Sequence, residues 1–273
     1  MTSTLRDIVD RKFLLKELIV SELRQRDAGT LLGPIWWLID PIVLMFMYWM
    51  LVLILGRGGG REAFPVFILC GLICAKFITG TMANTAGVLW RRNSLIQAYN
   101  FPTIYLPYAT VVSNLVFFAI TLPLLGVVGV VFFGRSIGIE VSQLLLLVVP
   151  MTALTAGLSL MAAVFGAMIR DLANVIAYGA RIMTYASPVI YGPERIQRMI
   201  EGWADGAWYG TLAYQLYMSN PLAISIVIVR GSVYEPAWVA WPSWALLFVE
   251  AAIVYAIGHW MYRRYERRVV KFV

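Results

Sequence analysis

Four ionisable residues, Asp40, Lys76, Arg181 and Glu250, fall inside long apolar runs of the chain. In a bilayer interior an Asp, Lys or Arg costs about 2.5–3.5 kcal/mol on insertion scales, so it faces a cavity, a neighbouring helix or another charge. Two kinds of chemistry are open to them: a polar lining for a substrate path, or pairing that ties helices together. Both readings stand for Lys76 and Arg181. Asp40 precedes Pro41 at the start of its run and reads as interfacial. Glu250 is suited to pairing with a cation that the sequence does not name.

Enzyme chemistry finds little support. No GxxxxGK[ST] phosphate loop, HExxH helix, CxxC pair or nucleophile elbow occurs. The chain therefore reads as no enzyme and as holding no cofactor or metal. The single histidine, His259, makes a His-ligated metal site untenable and sits near the end of the last apolar run, where an interfacial role is the simpler reading. Cys70 and Cys74 are i, i+4 on one helix, a spacing that rarely meets disulfide geometry. An aromatic cluster, Trp203, Trp208, Tyr209, Tyr214 and Tyr217, is denser than an interfacial belt requires. Flat rings stack on the C–H faces of sugars, so the cluster fits a carbohydrate path as well as a belt.

The elements that must position these residues are set by composition. Of 273 residues 60% are hydrophobic and only 14% charged, against about 25% in a soluble domain. With a mean hydropathy of +0.76 the chain could not cover a water-exposed surface. It reads as an all-α, polytopic membrane protein. The net charge of +7 would hint at nucleic acid in a soluble protein, whereas in a membrane protein the location of the charge matters more. No nucleic-acid partner is expected.

A transmembrane helix needs roughly 20 apolar residues. Six runs qualify in the expected order: 35–55, 64–88, 103–133 (with Pro123 expected to kink it), 141–169, 172–190 and 244–261. Residues 1–33 form a separate segment ahead of the transmembrane domain 34–273. Within them 5–27 mixes Leu14, Leu15, Leu18, Ile19 and Leu23 with basic residues, as an interfacial amphipathic helix does, or a solvated helix packed on a partner. They hold no apolar stretch of signal-peptide length, so the first span is expected to drive insertion. Between spans five and six, 191–243 is rich in Trp, Tyr, Gly and Pro, and its apolar piece 221–229 is too short to span. Two short re-entrant or interfacial helices are expected there. Fourteen Lys and Arg fall on the side of both termini and six (Arg57, Arg61, Arg135, Arg195, Arg198 and Arg230) in loops on the other, which places both termini in the cytoplasm.

Several stretches together resemble a known family. The basic N-terminal helix leads into Leu32-Gly33-Pro34-Ile35-Trp36-Trp37-Leu38-Ile39-Asp40-Pro41, and a polar loop, residues 92–107, follows the second span. Span five ends in Ser187-Pro188-Val189-Ile190-Tyr191, followed by Asn220-Pro221 and the tail Tyr262-Arg263-Arg264-Tyr265-Glu266. Their order resembles the permease subunit of ABC-2-type polysaccharide exporters, the transporters of O-antigen, teichoic acid and related lipid-linked glycans. The resemblance implies a homodimeric pore in the plasma (inner) membrane, two copies of a separate ATPase that binds the ATP, and a polyprenyl-pyrophosphate-linked glycan as substrate. It implies that Arg91, Arg92, Asn93, Gln97, Tyr99 and Asn100 lie in the loop that couples to the ATPase. Arg24 and Arg26 become candidate pyrophosphate contacts, since Arg binds phosphate bidentately. Lys76 departs from the family pattern, where an apolar or aromatic residue is expected. A permease for a small lipid or drug, or an ion-coupled secondary transporter, remains as an alternative.

Overall fold

The computed structural model describes residues 12–27, 29, 31–55, 63–98, 102–134, 138–204 and 208–272. Among the described residues the chain is all helical. Helix α1 is Lys12–Asp27. The span helices follow: α2 (Gly33–Ile54) and α3 (Phe64–Ala86), then, past the short helices α4 (Val88–Arg91) and α5 (Asn93–Ala98), α6 (Tyr105–Phe132). Next come α7 (Ser142–Met168), α8 (Arg170–Ala186), α9 (Pro193–Ala204), α10 (Trp208–Met218), α11 (Pro221–Val233) and α12 (Trp241–Phe272).

Among the described residues five helices are long and apolar enough to cross a membrane, six if α10 and α11, bent by 74°, form one broken span. The expected fifth span is shorter and more polar than the sequence promised. Helix α8 has 17 residues, roughly 25 Å at the helical rise, less than a hydrocarbon core of about 30 Å. Arg170, Asp171 and Arg181 lie on it and are exposed.

Helix α3 is the centre of the packing. Every residue from Phe64 to Ala75 is buried, and the large core cluster gathers around it, with Leu147, Met151, Leu222 and Ile226 fully enclosed. At Lys76–Gly80 the helix widens to a π-helical turn, and Lys76 is the first exposed residue of the span. By contrast α2 leaves Phe46, Met47, Leu53 and Ile54 exposed, the surface a bilayer would cover. In α6 the helix runs on through Pro123 and widens to a π-helical turn only at Val128–Phe132.

Small residues let backbones meet. A Cβ on Gly166 would lie 1.8 Å from the Ala86 carbonyl oxygen, so α7 and α3 touch there. Gly157 and Gly258 do the same for α7 and α12: a Cβ on Gly258 would sit 2.2 Å from the Gly157 oxygen. Close approach through small residues is how membrane helices gain packing without a hydrophobic drive between them.

Candidate functional site

The polar loop after the second span becomes α4 and α5, and it does not hang free. Trp90 donates from Nε1 to the Gly166 carbonyl at 2.8 Å, and the Arg170 guanidinium sits 5.0 Å above its ring. Arg91 donates to the Asn84 carbonyl and holds the end of α3 to α4. Arg92 reaches 70 residues back along the chain: its Nη2 donates to Glu22 Oε2 at 3.0 Å and to Gln25 Oε1 at 2.7 Å. Glu22 accepts a further bond from Thr110 Oγ1 of α6 at 3.4 Å. One carboxylate on α1 therefore joins the loop to the third span. The Glu22 and Arg92 side chains are 18% and 22% exposed, partly shielded, so the pair is stronger than a surface ion pair. Under it lies a second, smaller core of Val88, Leu89, Ile104, Val164 and Tyr262, with Leu18 of α1 and Leu95 of α5 packed on it.

Of the residues expected to couple, Arg91, Arg92 and Asn93 are brought together here, while Gln97 is exposed on α5. Tyr99 and Asn100 lie outside the described residues. Arg24 is exposed and borders a shallow depression of about 270 Å³ with Glu17 and Ser21. Arg26 lies in α1, but its side chain is outside the described residues. Glu22 was missed by sequence reasoning. It is one of three acids on a helix of mixed charge, and only the fold pairs it with Arg92.

Midway along the spans Lys76 forms an ion pair with Asp40 of α2. Asp40, read from sequence as interfacial, is thus also the ion-pair partner of a residue on the second span. The pair opens on a cleft of about 420 Å³ between α2, α3 and α6, with Trp36, Trp37, Phe117 and Phe118 among its walls. None of the aromatic cluster at 203–217 lines it. Arg181 is exposed on α8 and lies 5.6 Å from the Tyr178 ring centroid. Glu250 has one carboxylate oxygen buried with no hydrogen-bond partner among the described residues. His259 Nδ1 is 3.2 Å from the Tyr108 hydroxyl, which is 2.9 Å from that of Tyr255. Cys70 and Cys74 are free thiols, both buried.

At the far end of the bundle two of the resemblance motifs meet. Asn220 caps α11 by accepting from Leu222 N at 3.0 Å and donates from Nδ2 to Ser187 Oγ at 3.2 Å. Arg230, counted in sequence as an outer-loop charge, is 6% exposed. It donates to the Phe67 and Val189 carbonyls at 3.4 and 2.8 Å, with its guanidinium carbon 3.4 Å over the Phe67 ring. Gln143 at the start of α7 clamps the strand-like approach to α12, donating to Ala237 O at 3.0 Å and accepting from Val239 N at 3.1 Å. Tyr217 of the aromatic cluster joins Tyr191 by hydroxyls 3.4 Å apart, and Tyr191 donates to the Tyr185 carbonyl at 2.9 Å. Trp203, Trp208 and Tyr209 stay exposed on α9 and α10, while Tyr214 is half-buried.

Long apolar helices packed through glycines, with backbone polar groups satisfied inside each helix, define a polytopic α-helical membrane protein. Known proteins narrow that class. The chain is 27% identical over 197 residues, 72% of this chain and 75% of the relative, to the O-antigen export system permease protein RfbA of Myxococcus xanthus. It is 22% identical over 240 residues, covering 81% of this chain and 91% of the relative, to a protein of the same name from Klebsiella pneumoniae. A second Klebsiella pneumoniae protein of that name matches at 21% over 236 residues. No family model matches the chain. The resemblance to ABC-2-type polysaccharide-exporter permeases, read from the order of its motifs, is borne out by these relatives.

Proposed function

We propose that this chain is the membrane-spanning permease of an ATP-driven ABC transporter that exports a polyprenyl-pyrophosphate-linked polysaccharide across the plasma (inner) membrane. The observation that carries the reading is similarity to three O-antigen export permeases over most of both chains. Two copies of the chain form the pathway, and two copies of a separate ATPase supply the ATP hydrolysis for which the sequence has no phosphate loop. Both termini face the cytoplasm, following the excess of Lys and Arg on their side.

In this reading the junction of α1, α4 and α5 is where ATPase motion enters. Arg92 and Glu22 link the docking loop to both α1 and α6, so a push on the loop is felt by two helices at once. Arg24, exposed on α1, and Arg26 of the same helix supply the guanidinium groups for a pyrophosphate head. The exposed rings of Trp203, Trp208 and Tyr209, with Tyr214 and Tyr217 behind them, form the surface along which sugar rings pass near the other end. Lys76 and Arg181 add polar groups to the path.

The test is deletion of the gene, with readout of surface glycan by gel electrophoresis and of lipid-linked glycan retained on the cytoplasmic side. Loss of the surface polymer with accumulation of the lipid-linked form supports the reading. Unchanged glycan together with lost efflux of a small lipid or drug would assign the chain to a permease of that other kind.

A further inference from the structure

We propose that the cleft between α2, α3 and α6 is a binding site for a zwitterionic aminophospholipid of the phosphatidylethanolamine class. Three observations meet there. First, Asp40 and Lys76 form an ion pair between two apolar spans, and their side chains are 50% and 52% exposed. Each side chain thus stays about half exposed and lines the cleft, although α3 is otherwise buried from Phe64 through Ala75. The π-helical turn that starts at Lys76 sets this residue apart from its buried neighbours; such turns recur at functional positions. Second, the cleft holds about 420 Å³, within the size range of ligand sites, and Trp36, Trp37, Phe77, Phe117 and Phe118 form its apolar walls. Third, Asn114 lines the cleft with a buried amide nitrogen that has no hydrogen-bond partner among the described residues. A buried donor left unpaired is costly and points to a missing acceptor.

The charge pattern selects the ligand. A purely anionic head would reach Lys76 but meet Asp40, and a cationic head would meet the reverse. A head with one phosphate and one primary ammonium satisfies both: the phosphate replaces Asp40 on Lys76 while the ammonium donates to Asp40. Neither charge is then left unpaired in a low-dielectric setting, which is the condition for separating a buried pair. The Asn114 amide donates to a phosphate or ester oxygen, and an acyl chain lies against the aromatic walls. A choline head lacks N–H donors for Asp40 and binds more weakly. The site shares Lys76 with the export path proposed above, but head-group retention is read without export, so the two readings fail separately.

The experiment is native mass spectrometry of the whole protein, purified in mild detergent and mixed with equal amounts of isotope-labelled phosphatidylethanolamine, phosphatidylcholine and phosphatidylglycerol. The expected result is selective retention of phosphatidylethanolamine. Asp40→Asn should lower that retention by about tenfold, as loss of one charge-assisted hydrogen bond does, and turn the preference to phosphatidylglycerol. Because either single change leaves a lone charge that can unfold the site, Asp40→Asn/Lys76→Gln is the second variant. It is expected to stay folded and to lose head-group selection. Equal retention of the three lipids by the unaltered protein, preference for phosphatidylglycerol, or undiminished selection in the double variant would each overturn the proposal. So would a cleft closed by a second copy of the chain, which would show as a dimer carrying no lipid.

Discussion

The two ends of the helix bundle are joined in different ways. At one end α1, α4, α5 and α6 are linked by groups that remain partly exposed: Arg92 to Glu22 and Gln25, Glu22 to Thr110. At the other end, Arg230, Gln143 and Ser187 are enclosed, and all three bond to backbone carbonyls. Partly solvated charge pairs exchange partners at modest cost. An enclosed guanidinium bound to carbonyls cannot move without leaving them unsatisfied. The first end is suited to receive motion, and the second to hold the outer segments in register.

The largest effect should come from filling the backbone contacts beneath each end. Gly166→Leu must displace the Ala86 carbonyl, 1.8 Å from the added Cβ, and is expected to abolish folded protein in detergent size-exclusion runs. Gly71→Leu meets Val189 Cα at 2.8 Å and should be nearly as damaging. If Gly166→Leu stays monodisperse, the close α3–α7 packing is wrong.

Arg230→Met separates the ends. It leaves the Val189 carbonyl short of a donor, at about 1–3 kcal/mol for an unpaired buried group, and removes the guanidinium packed on the Phe67 ring. Thermal unfolding should drop by several degrees, and a variant as stable as the parent would show that this end is not locked by Arg230. Arg92→Glu should do the opposite: stability falls less than in Arg230→Met, because the pair stays partly solvated, while ATP-dependent export falls severely. Comparable losses of stability in the two variants would erase the distinction between the ends.

The smallest expected effect is at the aromatic surface. Trp203→Ala should slow export more than Leu53→Ala, a change at another exposed position, without altering stability in either. Equal export rates would remove sugar stacking from the account.

Much of this was legible in the sequence, for a physical reason. Spans such as α2 and α7 are long apolar runs, and length with hydropathy is enough to define them. Helix α8 differs from the expected fifth span because 172–190 reads as one span with Arg181 inside it, whereas the helix ends at Ala186 and leaves Arg181 exposed. Arg230 was taken for a loop charge because α11 is too short to span, and only burial against α3 reveals its role. The pairings of Lys76 with Asp40 and Arg92 with Glu22 join residues 36 and 70 positions apart, and no local pattern announces them. The motifs Ser187-Pro188 and Asn220-Pro221 were legible one by one; their mutual hydrogen bond was not.

The central claim is that the loop junction couples this permease to a separate ATPase. It is tested most directly by purifying the chain from its native membrane in mild detergent, identifying what accompanies it, and measuring ATP turnover. The account predicts a stoichiometric ABC ATPase with the parent chain. It also predicts uncoupled turnover in Arg92→Glu and recovery when Glu22→Arg is added to restore the pair. A stable, homogeneous preparation with no ATPase, or coupled export in Arg92→Glu, would contradict it.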